Sequence, residues 1–284
     1  MNKIFACPFL LLISFTSFAQ KNKVKELGFL LFDATGNQVK NLDQAATYSA
    51  ILKPNDTTFV LRNYKNYGPM ISQETFLDEN LTIPNGRFIY YDKDGNIDST
   101  GMAIHGRKDG IWDTFTHIKN IQTGSVKDSI IHTDYYHLGK RITKEEYFND
   151  TTENSAIKRK FFKTGLPISE TQFNADTTGQ RAAEYPGKSN AWKNYLEANL
   201  NAELGQLIPQ YKSLADNRAP VTVVFLVGKD GNTDDIFIAN SSGYPFDTEA
   251  IRVIENSGKW APAQQNGHPV VYRQMQSITF VLGY

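Results

Sequence analysis

Cysteine is almost absent from this sequence: the 284 residues contain one, Cys7. No disulfide can therefore form within the chain, so its stability has to come from packed apolar cores. An excess of charge is missing as well, because 30 basic residues balance 30 acidic ones and no block of like charge occurs. This balance favours neither nucleic acid nor an anionic membrane surface as a partner.

Long apolar runs are also lacking after the first twenty residues. The segment from Met1 to Gln20 has a lysine near its start, an apolar run from Ile4 to Phe18 and a small residue, Ala19, at its end. This is the layout of a cleavable secretory signal, and we expect residues 1–19 to be removed. The alternative is a retained anchor, but the run is shorter than the roughly 20 residues that span a bilayer, and Pro8 interrupts it.

The part of the chain from residue 20 to residue 173 is rich in aromatic residues separated by glycine turns. The stretches "NGRFIYYDKDG", "KDGIWDTF" and "TDYYHLGK" are examples. Short aromatic strands joined by Asn-Gly and Asp-Gly turns predict successive β-hairpins. One helix is predicted to interrupt them, around Asn41 to Leu52.

A loose repeat runs through these hairpins. Placing Asn85-Gly86 on Asp109-Gly110 brings Phe88 onto Trp112 and Tyr91 onto Phe115. Further aromatic pairs recur at Tyr135-Tyr136, Tyr147-Phe148 and Phe161-Phe162. Repetition of this kind indicates stacked units that bury one aromatic face against the next, so we interpret these aromatics as core rather than as ligand-stacking groups. The pattern resembles degenerate MORN-type repeats.

Residues 174–190 are polar and turn-rich, which predicts a linker, and from residue 191 to residue 284 the pattern changes. The stretch "AWKNYLEANLNAEL" has apolar residues three and four apart, which predicts an amphipathic helix. A hairpin follows, with an apolar strand from Val221 to Val227 and a weaker strand from Asp235 to Ala239. A second helix is predicted with Asp247 as its N-cap and Gly258 as its stop.

The end of the chain predicts an edge strand. Trp260 follows the second helix and is interpreted as a plug that seals the helix against the sheet. In the last strand Ile278 and Phe280 alternate with polar residues, which is typical of a half-buried strand. The first strand of the hairpin is apolar on both faces and should be central, so the last strand lies at an edge, with backbone groups that can accept a guest strand.

The predicted fold class is therefore α+β: a mostly-β hairpin-repeat region followed by a small domain of helix, β-hairpin, helix and edge strand. The helix "WKNYLEANL", the strand "VTVVFLVGKDG", the helix "FDTEAIRVIENSGKWAP", the turn "QNGHPV" and the terminal "ITFVL" together resemble the C-terminal domain of the TonB family. This resemblance implies a periplasmic domain that captures a short extended segment, the TonB box, of an outer-membrane TonB-dependent receptor. The capturing stretch would be Tyr272, Arg273, Gln274, Met275, Gln276 and Ser277, acting mostly through backbone groups.

The chain departs from a full energy transducer of that family in its first half. Such a transducer carries a retained membrane helix, with a histidine that couples to the ExbB/ExbD motor, and then a long Pro-rich spacer. The first histidine in this chain is His105, and hairpins stand where the spacer would be. We expect ExbB and ExbD as partners only if the N-terminus is retained, with the protein anchored in the inner membrane. Otherwise we expect a periplasmic protein.

Motifs for metals, cofactors and catalysis fail on inspection. The loop from Asp92 begins like a calcium site, but Ile97 stands where a glycine must make the bend and Ala103 where a bidentate glutamate is required. His132 and His137 are five residues apart, so in a strand they point to opposite faces and cannot share a zinc ion. We expect no cofactor, no metal and no enzymatic activity.

Two functions of different classes remain open. In the first, the protein is a transport accessory that binds receptor segments, with the hairpin repeats as a spacer or a second docking face. In the second, it is a structural or scaffolding protein whose last strand pairs with a fixed partner, or with itself in a homodimer, and no transport depends on it.

Intact mass tests the predicted signal. We expect protein recovered from the periplasm to begin at Gln20, because signal peptidase cleaves after small residues such as Ala19. A chain recovered from membranes with Met1 still in place would contradict cleavage and favour the anchored alternative.

Overall fold

The computed structural model describes residues 25–119, 126–149, 180–211, 214 and 216–282. The predicted signal and the Phe161-Phe162 pair lie outside these residues. Within them, no helix has the length and apolar character needed to cross a membrane.

The first half forms one antiparallel sheet of ten strands, and the predicted hairpins are confirmed. Its spatial order is β10-β9-β8-β7-β6-β5-β4-β3-β1-β2, so most strands pair with their neighbours in sequence. The strands are β1 (Lys25–Phe32), β2 (Gln38–Val39), β3 (Thr47–Asn55), β4 (Thr58–Lys65), β5 (Met70–Phe76), β6 (Gly86–Tyr91), β7 (Ile97–Ile104), β8 (Arg107–Lys119), β9 (Val126–His137) and β10 (Lys140–Ile142).

The aromatic residues that the repeat superposes are buried, as predicted, whereas Phe29 and Tyr90 of the same sheet are 41% and 36% exposed. Phe88 and Trp112, which the repeat superposes, are both buried, with ring centroids 6.4 Å apart. Gly101 lies under the Trp112 indole, and a Cβ there would come within 2.1 Å of it. The glycine is therefore required by the close approach of the ring rather than by a turn.

Two local predictions for this half are wrong. No helix covers Asn41 to Leu52: a single 3-10 turn, η1 (Leu42–Gln44), leads directly into β3. The β-branched and aromatic residues after Ala46 favour a strand, and antiparallel pairing with β1 and β4 fixes it. The Tyr147-Phe148 pair lies on a short helix, α1 (Lys144–Asn149), and not on a strand.

The second half is α+β. Its elements are β11 (Gln180–Arg181), α2 (Ala191–Asn199), the 3-10 helix η2 (Ala202–Gln210), β12 (Arg218–Val227), β13 (Thr233–Asn240), α3 (Tyr244–Glu255), β14 (Ala263–Gln265), β15 (His268–Val270) and β16 (Tyr272–Val281). One sheet has the order β13-β12-β16 and a smaller one the order β11-β14-β15. The prediction that the first hairpin strand is central and the last strand lies at an edge is confirmed among the described residues.

The predicted ends of the helices need correction. The first helix ends at Asn199, and the chain then continues as η2. Asp247 is not the N-cap of α3, because the helix begins at Tyr244 and its N-cap is Gly243. Gly243 has a φ of 123°, a backbone conformation that favours glycine. Pro245 suits the first turn because it has no N–H to be left unpaired. The helix ends at Glu255, so Gly258 belongs to the following turn rather than to the helix end.

The described part of the predicted linker is built into the second half. β11 pairs with β14, and Glu184 and Ala261 exchange two backbone hydrogen bonds of 3.1 and 2.8 Å. Polar composition predicts a linker here. A short polar strand such as β11 can be identified only when the strand that pairs with it, here β14, is known.

The two halves share one hydrophobic core. Met70, Tyr91 and Phe115 of the ten-stranded sheet belong to the same buried cluster as Val224 and Phe237 of the second half. Polar contacts also cross this junction: the Tyr91 hydroxyl donates to the Ile238 carbonyl at 2.8 Å, and the Asn240 amide donates to Asn96 Oδ1 at 2.7 Å. The first half is therefore packed against the second and does not act as a free spacer.

Asp247 is the buried centre of this junction. Its carboxyl accepts from the Ser241 hydroxyl at 2.6 Å and from the Ser242 amide at 3.2 Å. Ser241 in turn accepts from the Met70 amide of β5 at 2.8 Å. One chain of hydrogen bonds thus connects the ten-stranded sheet, the end of β13 and helix α3. Burial raises the pKa of Asp247 to about 7, although the Ser241 and Ser242 donors oppose that shift.

The raised pKa of Asp247 predicts a pH dependence of stability. The native carboxyl keeps its proton up to about pH 7, whereas the unfolded one loses it near pH 4, so the native state binds more protons in that window. The free energy of unfolding contributed by Asp247 is then full below about pH 4 and falls as the pH rises to about 7. We expect Asp247→Asn to flatten this fall, by an amount on the order of a few kcal/mol.

Urea unfolding at a series of pH values measures the effect. Asp43→Asn is the matched control, because Asp43 is an exposed carboxylate on the 3-10 turn η1 and its loss should leave the pH dependence of the free energy of unfolding unchanged. If the free energy of unfolding falls equally between pH 4 and pH 7 in Asp247→Asn and in the unaltered protein, the raised pKa of Asp247 is contradicted.

Candidate partner-binding edge

Strand β16 is held along its whole length by β12. The antiparallel register runs from Arg218 opposite Val281 to Val227 opposite Tyr272 without a shift. No other strand of the described residues pairs with β16. One long edge of the strand is therefore open to a further strand.

The backbone groups that face the open edge can be assigned from Pro220. The Pro220 carbonyl accepts from the Ser242 hydroxyl at 2.6 Å, just beyond the end of β13, so the polar backbone of Pro220 faces β13. Along a strand, the N–H and C=O groups of successive residues point alternately to the strand on one side and to the strand on the other. In an antiparallel pair of strands, hydrogen-bonded residue pairs therefore alternate with pairs that are not hydrogen-bonded. Thr279, opposite Pro220, and every second residue from it therefore face away from β12. These outward-facing residues are Arg273, Met275, Ser277, Thr279 and Val281.

The side chains of β16 separate into two faces. Ile278 and Phe280 are 2% and 5% exposed and form part of the core, as their alternation predicts. Met275 is 53% exposed on the opposite face. Val224, directly across the ladder from Met275, is 1% exposed. At the position of Met275, the residues that cover this face of the sheet therefore reach β12 but not β16.

Helix η2 closes the C-terminal end of the edge. Gly205 of η2 is buried, and a Cβ on it would lie 2.1 Å from the Val281 carbonyl oxygen, which is one of the outward-facing groups. The open length of the edge is therefore its first part, from Arg273 to Thr279. That length includes Arg273 to Ser277 of the predicted capturing stretch.

Trp260 fixes the opposite side of the sheet. It is buried, and its ring centroid lies 5.1 Å from that of Phe225 on β12 and 5.2 Å from that of Trp192 on α2. Its indole N–H donates to the Ser257 hydroxyl at 2.9 Å, just past the end of α3. The interpretation of Trp260 as a plug between helix and sheet is confirmed, and α2 adds a contact that the sequence does not predict.

Arg273 differs from the other residues of the capturing stretch. Its guanidinium carbon lies 6.0 Å from the Phe237 ring centroid, and that of Arg87 from β6 lies 4.6 Å from the same centroid. Arg87 donates to Asp235 at 2.6 Å. Burial, and then the positive charge of Arg87, lower the pKa of Arg273 to about 10. The sequence alone assigns Arg273 only to the capturing stretch and does not predict this half-buried position of its side chain.

The described residues contain no group of three or more histidine, cysteine, aspartate or glutamate side chains arranged to hold a metal ion. The Asp92 loop is a hairpin turn in which the Asp92 carboxylate accepts from the amides of Asp94 and Asn96, at 2.8 and 2.9 Å. The carboxylate is thus occupied by its own turn, which is the common use of Asp in such hairpins.

Comparison with known proteins bears on this part of the chain. Residues 209–282 match the family described as Gram-negative bacterial TonB protein C-terminal. The match includes the three-stranded sheet, α3 and the whole of β16, and covers about a quarter of the chain. It supports a TonB C-terminal domain here, with the transport association and the envelope location of that family, which is not a family of enzymes. A search of curated proteins and a search of solved structures each found no match. The resemblance of the first half to MORN-type repeats stays a prediction.

The structure places all six residues of the predicted capturing stretch on one strand. The backbones of Tyr272, Gln274 and Gln276 face β12, which leaves those of Arg273, Met275 and Ser277 for a guest. The Gln274 amide also donates to the Ala183 carbonyl at 3.4 Å, so its side chain is engaged on the inner face. Binding by these residues remains a prediction.

The contact between η2 and β16 predicts the effect of a single methyl group. We expect Gly205→Ala to lower the free energy of unfolding by about 1–3 kcal/mol, because the new Cβ overlaps a backbone oxygen that cannot rotate away. Hydrogen exchange should also quicken at the end of β16. Gln206→Ala, at an exposed position of the same 3-10 helix, is the control and should change neither quantity. An unchanged Gly205→Ala variant would show that η2 moves freely.

Proposed function

We propose that this protein is a periplasmic binding module that captures an extended segment of an outer-membrane TonB-dependent receptor on the open edge of β16. The observation that carries the proposal is the orientation of that edge: alternate backbone groups from Arg273 to Thr279 face away from β12. A segment laid along them would bond through its own main chain, as in other cases of strand addition. The match of residues 209–282 to the TonB C-terminal family supports a receptor as the source.

The packing around β16 supports capture by a rigid site. Its inner face is fixed by Ile278 and Phe280, and η2 bounds one end. A segment that binds there needs to order only itself, which limits the entropy lost on binding. The proposed role is accessory to transport across the outer membrane. Coupling to the ExbB/ExbD motor is not part of the proposal.

A proline on the open edge tests capture through the main chain. We expect Met275→Pro to abolish binding of a TonB-box peptide, because the amide removed is one that the guest must use and no bond to β12 is lost. Met275→Gln is the matched control: it keeps the amide and removes only the apolar side chain, so it should retain most of the binding. Isothermal titration calorimetry measures both affinities, and thermal unfolding checks that both variants are folded.

Two results would contradict the proposal. Equal peptide affinity in Met275→Pro and the unaltered protein would place the binding elsewhere. Absence of peptide binding, together with a concentration-dependent dimer that Met275→Pro disrupts, would favour the scaffolding alternative, in which β16 pairs with a second copy.

A further inference from the structure

The junction between the ten-stranded sheet and β16 contains guanidinium nitrogen atoms without acceptors. Nη1 and Nη2 of Arg273 and Nε of Arg87 are buried and have no hydrogen-bond partner among the described residues. Buried polar atoms of proteins are almost always hydrogen-bonded, and buried charges are paired. These three nitrogen atoms can therefore still donate to an acceptor from a bound group.

The local charge indicates the sign of that component. Two guanidinium groups, those of Arg87 and Arg273, lie close enough to the Asp235 carboxylate to feel its charge, and Arg87 already donates to it. The cluster therefore has a net positive charge. The Phe237 ring lies beside both guanidinium groups, which keeps the cluster on an apolar surface where an ion pair is stronger than in water.

The chemistry of the donors indicates the class of ligand. The two Nη atoms of one guanidinium form a planar fork that matches the two oxygens of a carboxylate. We propose that Arg273 and Arg87 form a carboxylate-binding site, and that an acidic side chain of the segment captured on β16 fills it. The second clause rests on the proposed function.

The position of Arg273 on β16 connects this site to the edge. Arg273 belongs to the outward-facing set, so a guest strand would lie directly beside its backbone. Its side chain leans inward over β12 to Phe237, where its Nη atoms gain no hydrogen bond. A carboxylate on the guest that reaches these Nη atoms would therefore displace no hydrogen bond, and its negative charge would offset the neighbouring positive charges of Arg273 and Arg87. The site would select acidic segments from among many that can pair through the main chain.

Two blocked peptides test the selection. One is acetyl-Val-Thr-Val-Glu-Val-Thr-Val-amide, and the other has Gln in place of Glu. The repeating sequence lets either peptide slide until its central residue meets Arg273, and the blocked ends remove every other charge. We expect the Glu peptide to bind the whole protein roughly tenfold more tightly than the Gln peptide.

Substitution of the arginine locates the effect. In Arg273→Gln the two peptides should bind equally, because the charge that distinguishes them has no partner left on β16. Arg273→Lys should recover only part of the preference, because lysine keeps the charge but not the fork. Lys193→Gln removes the same charge from an exposed position on α2 and should keep the full preference.

A third titration uses sodium acetate against sodium chloride at equal ionic strength, read by NMR from the Nε–H signals of Arg273 and Arg87. Equal affinity of the two peptides for the unaltered protein would overturn the inference while leaving strand capture intact. If neither peptide binds, the proposed function fails. In that case a saturable acetate shift lost in Arg273→Gln would support a site for free carboxylates, and no shift would overturn the site itself.

Discussion

The candidate function depends on β16 having a neighbour along only one edge. Because the ladder with β12 is unbroken, every second residue of β16 is committed to it and the others face outward. An outward amide or carbonyl is hydrogen-bonded to water, so a guest strand replaces bonds rather than adding them, and each replacement contributes only about 1 kcal/mol. Capture therefore requires several outward groups in register, which the length from Arg273 to Thr279 provides.

The rest of the fold keeps the other surfaces of this sheet occupied. Helix α3 and Trp260 cover one face, and residues of the ten-stranded sheet cover the other as far as Val224. The Met70–Ser241–Asp247 hydrogen bonds tie that cover to the start of α3. A protonated Asp247 is well suited to this place, since a buried charge with few partners would be costly. The first half thus contributes a rigid support for the edge, and no pattern of residues in either half predicts this contact.

Periodic patterns of apolar residues predicted most of the helices and strands. The helices and strands that were not predicted correctly are determined by contacts between residues distant in sequence. The alternation of Ile278 and Phe280 and the apolar run from Val221 to Val227 correctly predicted the central strand, the edge strand and their order. Asp247 was misplaced because Asp is a favoured N-cap, while the signal that prevailed, Gly243 followed by Pro245, is weaker in sequence. The segment around Asn41 to Leu52 became a strand because β1 and β4 pair with it on both sides.

The candidate site was also predicted only in part, because part of it depends on contacts between residues that are distant in sequence. Sequence alone could place Tyr272 to Ser277 on an exposed edge, but not determine which of their backbones face outward, since that follows from a single hydrogen bond between Ser242 and Pro220. Nor could it reveal the position of Arg273, because the neighbours Arg87 and Phe237 come from two other strands that are distant in sequence.

Main-chain pairing by itself cannot select a partner, because every extended segment offers the same amides and carbonyls. Selection has to come from side chains that the guest meets, and on the open face these are few. Met275 offers an adaptable apolar contact, since an unbranched thioether fits many shapes and discriminates weakly among them. Arg273 is different in kind, because a guanidinium that lacks an acceptor gains much from one carboxylate and little from a neutral side chain. On this edge, affinity would therefore depend on backbone length and selectivity on one arginine, so substitutions can alter the two separately.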